Sequence, residues 1–128
     1  MRLRVVVADD NSRFLQSLVT ELRAASFDVV ETASDGRSAL ECARRSQPDV
    51  IVLDLIMPGL NGIEVTRELR NIGYVPAVVI CSVENDPQTI DAARKAGVRG
   101  YVFKRRMAKD LVRAVVAASR GEIFISPE

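Results

Sequence analysis

Asp9 and Asp10 follow directly on the apolar run of residues 5–8, Asp54 ends the run "DVIVLD", Ser82 follows "AVVIC", and Lys104 follows "GYVF". Each of these residue types can act on a metal or an anion. Carboxylates ligate hard cations. A serine hydroxyl donates one hydrogen bond to a phosphoryl oxygen, and a lysine ammonium is a compact charge suited to phosphate. Taken singly, each has an ordinary explanation: an Asp pair after a strand is commonly a turn or a helix cap, and a Lys there is commonly a solvated charge. What needs explaining is that all of them stand where an apolar run ends. Adjacent carboxylates also repel, so Asp9 and Asp10 either face water or flank something positive.

The elements that must position these residues follow from the alternation of apolar runs with helical patterns. Residues 3–8, 49–54, 77–81 and 100–103 read as strands buried on both faces, and residues 28–33, with polar residues inside, as a weaker strand at an edge. Between them lie amphipathic stretches. Residues 11 to about 25 carry Phe14, Leu15, Leu18, Val19 and Leu22 on one stripe, and residues 107–119 carry Leu111, Val112, Val115 and Val116. Asn61 with Glu64 reads as a capping pair, Asp86–Pro87 as a helix start, and Gly97 and Gly121 as helix ends. The fold class expected is α/β: a doubly wound, flavodoxin-like parallel sheet of five strands in the order 2-1-3-4-5, with five helices. In that order the C-terminal strand ends share one edge, and Asp9, Asp10 and Asp54 converge in the crevice between strands one and three, with Ser82 and Lys104 beside them. A divalent cation relieves the mutual repulsion of such acids, and Mg²⁺ favours one or two carboxylates plus water and phosphate oxygens. Asp54, held against that ion, is then a candidate nucleophile toward phosphorus.

Bulk properties narrow the choice further. The 128 residues suit one domain, and 48% hydrophobic with 27% charged content is ordinary for a globular chain. Net charge is +1, which supplies no electrostatic reason for nucleic-acid binding by the segment as a whole. Lys104, Arg105, Arg106, Lys109 and Arg113 form a basic run, but no aromatic residues interleave to stack bases, so a solvated or protein-docking face is expected. No apolar run approaches membrane-spanning length, and "MRLRVVVADD" turns acidic too soon for a signal peptide; a cytoplasmic location without membrane contact is expected. Histidine is absent, which removes histidine triads and histidine metal sites. Cys42 and Cys81, without metal spacing and among apolar neighbours, read as buried free thiols.

The segments "VVVADDN", "VIVLDLIMPGLNG", "VVICSVEND" and "GYVFKR" together resemble the receiver domain of bacterial two-component response regulators, over about residues 2–120. The ending "DLVRAVVAASRGEIFISPE" further resembles the subgroup whose receivers precede a LuxR-type helix-turn-helix domain. The resemblance implies a receiver over residues 1–121 and a tail or linker over residues 122–128. It implies that Asp54 accepts a phosphoryl group from a sensor histidine kinase. It implies Mg²⁺ on Asp10, Asp54 and the backbone carbonyl of Ile56, with Asp9 assisting through water. Ser82 and Lys104 would contact the phosphoryl oxygens, and Tyr101 would be the aromatic switch, turning inward as Ser82 moves. DNA would be reached only through a separate output domain, and the last helices offer a surface for a homodimer.

The chain departs from the family pattern at several points. Val83 stands where a small residue is usual, and its bulk is expected to narrow access to Asp54 and slow the site. Arg105 replaces the common Pro after the lysine. The family's cis peptide is therefore disfavoured there, since a cis bond to a non-proline residue costs about 2.5–4 kcal/mol. Leu60 and Asn61 stand where Met and Asp are frequent, with little consequence expected.

Three other functions would each need something further of this sequence. An aspartate-nucleophile phosphatase of the haloacid-dehalogenase kind would need a second acid two residues after Asp54, and Ile56 cannot transfer a proton. A nucleotide-binding domain would need a glycine-rich phosphate loop, which "ADDNSRF" lacks. A pseudo-receiver interaction module that is never phosphorylated is argued against by the complete acidic set, while Val83 keeps that alternative open. The expected role is a phosphoacceptor signalling domain rather than an enzyme.

Overall fold

The computed structural model describes residues 2–127. Met1 and Glu128, the outermost residues of the expected 1–121 and 122–128 segments, lie outside the described residues. In chain order the elements are β1 (Arg4–Ala8), α1 (Ser12–Ala24), β2 (Asp28–Ala33), α2 (Gly36–Ser46), β3 (Val50–Leu53), α3 (Gly62–Asn71), β4 (Ala77–Ser82), α4 (Pro87–Ala96), β5 (Gly100–Phe103), a 3-10 turn (Lys104–Arg106), α5 (Met107–Ser119) and β6 (Phe124–Ile125). All neighbouring strands pair in parallel, in the order β2-β1-β3-β4-β5-β6.

The expected five-stranded order is correct for the first five strands, and the sheet has a sixth. Residues from the tail close the open margin of β5: the Phe124 amide donates to the Arg99 carbonyl at 2.9 Å and the Ser126 amide to the Tyr101 carbonyl at 2.8 Å. Two residues are too few to show a period of two, so this strand had no signature in the pattern. The polar β2 takes the other edge, as expected.

Strands β3, β4 and β5 are buried along their whole length, because helices cover both faces of the sheet. Strand alternation sorts the apolar residues into two layers. Val6, Ile51, Leu53, Ile80 and Tyr101 pack with Leu40, Val65, Leu69 and Ala93 from α2, α3 and α4. Val5, Val7, Val50, Val52, Val79 and Val102 pack with Leu18, Leu22, Leu111 and Val115 from α1 and α5. Fully burying each of these valines, leucines and isoleucines contributes about 1.5–3 kcal/mol. Cys42 and Cys81 are buried free thiols within these layers.

Helix starts are fixed locally. Asn11 caps α1 by accepting from the Phe14 amide at 2.9 Å, and Asp35 caps α2 by accepting from the Ser38 amide at 2.8 Å. Asn61 and Glu64 form a reciprocal capping box on α3, and Asp86 with Pro87 opens α4. Gly97 ends α4 at φ +111°, a conformation glycine adopts without a Cβ penalty. No helix among the described residues is long and apolar enough to cross a membrane.

Candidate functional site

Parallel pairing brings the C-terminal ends of β1, β3, β4 and β5 to one edge. There Asp9, Asp10 and Asp54 each offer a carboxylate oxygen, all within 4.8 Å of one another. Asp9 follows β1 and is fully buried; its Oδ1 accepts from the Asn11 amide at 2.8 Å. Asp10 is exposed beside it. Asp54 follows β3, its amide donating to the Ala8 carbonyl at 3.0 Å, so the ladder itself sets the spacing of the acids.

Lys104 reaches in from the end of β5. Its Nζ stands 3.0 Å from Asp9 Oδ2 and 3.0 Å from Asp54 Oδ2. Burial opposes the ammonium, but the facing Asp9 carboxylate and the hydrogen bond to Asp54 outweigh it and hold the Lys104 pKa above the usual lysine value. Burial pushes the Asp54 carboxyl above the usual carboxylate range, against the pull of Lys104; the Asp9 charge adds to the rise. The same ammonium sits 4.4 Å from the centre of the Phe14 ring, a cation–π contact. Phe14 was expected only as part of the apolar stripe of the first helix. No periodicity argument reports that its face meets a lysine from the far end of the chain.

Ser82 ends β4 and is fully buried. Its Oγ accepts from the Glu84 amide at 3.1 Å, while the Tyr101 hydroxyl donates to the Glu84 carbonyl at 2.8 Å. Tyr101 is already turned inward, 1% exposed, with its ring edge-on to Phe103. Burial pushes the Tyr101 pKa up to about 12, against the neighbouring Ser82 hydroxyl. Val83 is 70% exposed in the loop after Ser82. Ile56 lies in the loop after Asp54, its side chain exposed. That loop returns tightly: a Cβ on Gly62 would meet the Asp54 carbonyl oxygen at 2.7 Å. The peptide bonds of the described residues include no cis bond, Lys104–Arg105 included.

The donor set fits a hard cation. Three carboxylates converge, and Asp9 Oδ2 is buried with only the Lys104 ammonium against it and no donor in hydrogen-bonding geometry. A cavity of about 410 Å³ lies elsewhere, at the N-terminal ends of β4 and β5 beside α3 and α4, lined by Leu69, Arg70, Val75 and Arg99 among others. It has no part in the acid cluster.

The sequence model of one family, described as the response regulator receiver domain, matches residues 5–116. The chain is 32% identical over 127 residues to the probable transcriptional regulatory protein NarL of Mycobacterium tuberculosis, covering 98% of this chain and 59% of that protein. It is 36% identical over 124 residues to the nitrate/nitrite response regulator protein NarL of Escherichia coli, covering 95% of this chain and 57% of that protein. A solved two-component response regulator of the LuxR family from Aurantimonas superposes with a TM-score of 0.92 at 30% identity, over 99% of this chain and 91% of that one. The chain thus spans a little over half the length of the curated relatives it matches.

Proposed function

The chain belongs to the response regulator receiver domain family, and from that premise we propose that Asp54 is its phosphoacceptor, fed by a sensor histidine kinase in a Mg²⁺-dependent reaction. The observation that carries this reading is the Lys104 ammonium standing 3.0 Å from both Asp9 and Asp54 in a cluster of three acids. A carboxylate oxygen of Asp54 attacks phosphorus; the O–P bond forms as the P–N bond to the kinase's phosphohistidine breaks, and the imidazole leaves with the electron pair. Asp9, Asp10, Asp54 and the Ile56 carbonyl would hold Mg²⁺, which supplies positive charge next to the phosphoryl oxygens. Lys104 supplies a second positive charge at the same place, and Ser82 one hydroxyl donor.

Phosphorylation adds charge and acceptor oxygens beside Asp54. Lys104 and Ser82 are drawn toward them. The Ser82 hydroxyl then gives up the Glu84 amide, and the loop held between Ser82 and Tyr101 shifts with it. The output is a changed surface, read as transcriptional control through a DNA-binding domain outside this chain, in the cytoplasm. Residues 1–121 are read as the receiver and residues 122–128 as the segment leading from it. A phosphatase reading gains nothing from Ile56, which has no proton to give.

The test is incubation with acetyl phosphate and Mg²⁺ followed by intact-mass measurement. A gain of one phosphoryl group that vanishes in Asp54→Asn is expected. No gain in the parent chain, or an unchanged gain in Asp54→Asn, overturns the assignment.

A further inference from the structure

Asp110 lies on α5, outside the acid cluster, and is fully buried. A buried carboxylate is costly unless it is paired and hydrogen-bonded, and this one is both. Its Oδ2 accepts from Arg106 Nε at 2.7 Å and from Ser126 Oγ at 2.7 Å. Ser126 Oγ in turn accepts from the Phe103 amide at 3.1 Å, and the Ser126 amide donates to the Tyr101 carbonyl.

These contacts enclose one residue. Phe103 immediately precedes Lys104, and Arg106 ends the 3-10 turn that Lys104 begins. Asp110 thus holds the chain on both sides of Lys104, through Ser126 before it and through Arg106 after it. The turn has no side-chain cap, α5 has none at Arg106, and no proline stiffens residues 104–106. Beside the ladder and the turn's own bond from the Met107 amide to the Lys104 carbonyl, this network ties the segment to α5 and to the tail. We propose that Asp110, with Arg106 and Ser126, is a positioning unit that fixes where the Lys104 ammonium stands relative to Asp9 and Asp54. The inference rests on the phosphoacceptor reading, because positioning matters only if Lys104 serves the reaction at Asp54.

The network also ties β6 to α5, so the test must separate positioning from simple support. Ser126→Ala and Arg106→Gln are made in the parent chain and in a Lys104→Ala background. Folding is checked by circular dichroism, and initial phosphorylation rates by acetyl phosphate and intact mass. In the parent chain each substitution slows the reaction by about tenfold, in the range shown by directly coupled neighbours. In the Lys104→Ala background each changes the rate by less than about twofold, because there is no ammonium left to misplace. The Lys104 Cε–Hε resonance also shifts in Ser126→Ala before any phosphoryl donor is added. Equal slowing in both backgrounds overturns positioning, as does a parent-like rate with an unmoved Lys104 resonance. A parent chain that gains no phosphoryl group defeats the phosphoacceptor reading instead, and the Lys104 resonance still reports whether the ammonium was held.

Discussion

The hydroxyl of Tyr101 donates to the carbonyl of Glu84 at 2.8 Å, and that same residue's amide donates to Ser82 Oγ at 3.1 Å. One residue of the loop after β4 is therefore gripped at both ends, by the side chains proposed as the two halves of the switch. Tyr101→Phe keeps the buried ring and removes one grip. Stability should fall by about 1 kcal/mol, the net worth of an ordinary hydrogen bond. Denaturant unfolding measures that loss, and amide exchange at residues 83–85 should quicken while β4 itself is unaffected.

Lys104 is the counter-charge for two largely buried carboxylates. Lys104→Ala in chelator should cost about 3–5 kcal/mol, since removing one partner of a buried pair strands the other. Added Mg²⁺ should then raise the unfolding midpoint more in the variant than in the parent, because the ion no longer competes with the ammonium for Asp9 and Asp54. Thermal melts with and without Mg²⁺ check both parts. An equal Mg²⁺ shift in the two proteins would count against the cluster as a cation site.

Asp110 gives a pH dependence with a definite sign. Burial opposes its ionisation, but the hydrogen bonds from Arg106 and Ser126 outweigh that and hold its pKa below the usual carboxylate value. A folded pKa below the unfolded one contributes stability that is fully present above the unfolded pKa and is lost as pH falls through the folded pKa. The acid limb of the stability curve should therefore be shallower in Asp110→Asn than in the parent, with the gap between the two proteins closing below about pH 4. Urea unfolding from pH 7 downward measures it; parallel curves would refute the contribution.

Val83→Ala should quicken both phosphorylation and dephosphorylation, as expected if the larger side chain beside Ser82 limits approach to Asp54. An increase of roughly threefold in each corresponds to a barrier change of about 0.7 kcal/mol. Unchanged rates would mean that the exposed side chain of Val83 leaves the approach open.

Gly62→Ala places a methyl 2.7 Å from the Asp54 carbonyl oxygen. Backbone cannot yield cheaply, so the variant should lose about 1–3 kcal/mol and weaken Mg²⁺ binding as Asp54 is displaced. Isothermal titration with Mg²⁺ alongside denaturant unfolding tests the pair of effects.

Much of this architecture can be read from the chain, because parallel strands buried on both faces write continuous apolar runs and the ligand edge follows from their direction. The placement of Asp9, Asp54, Ser82 and Lys104 on one edge is legible for that reason: each stands at the end of such a run. The caps at Asn61, Asp86 and Gly97 were legible because capping chemistry is local. Phe14, Asp110 and Ser126 were not. Phe14 looks like any member of an apolar stripe until Lys104 is placed over it. Asp110 falls between Lys109 and Leu111 and reads as one more solvated charge, since its partners lie on other elements. Strand β6 is shorter than any period able to announce it.

That short strand also bears on how the molecule keeps to itself. An uncovered margin of a sheet offers its free amides and carbonyls as a template for another chain. Here Phe124 and Ser126 take up the Arg99 and Tyr101 carbonyls that β5 would otherwise present. Cutting the polypeptide after Gly121 would bare a strand of four buried residues, and the shortened protein should aggregate more readily than the intact one.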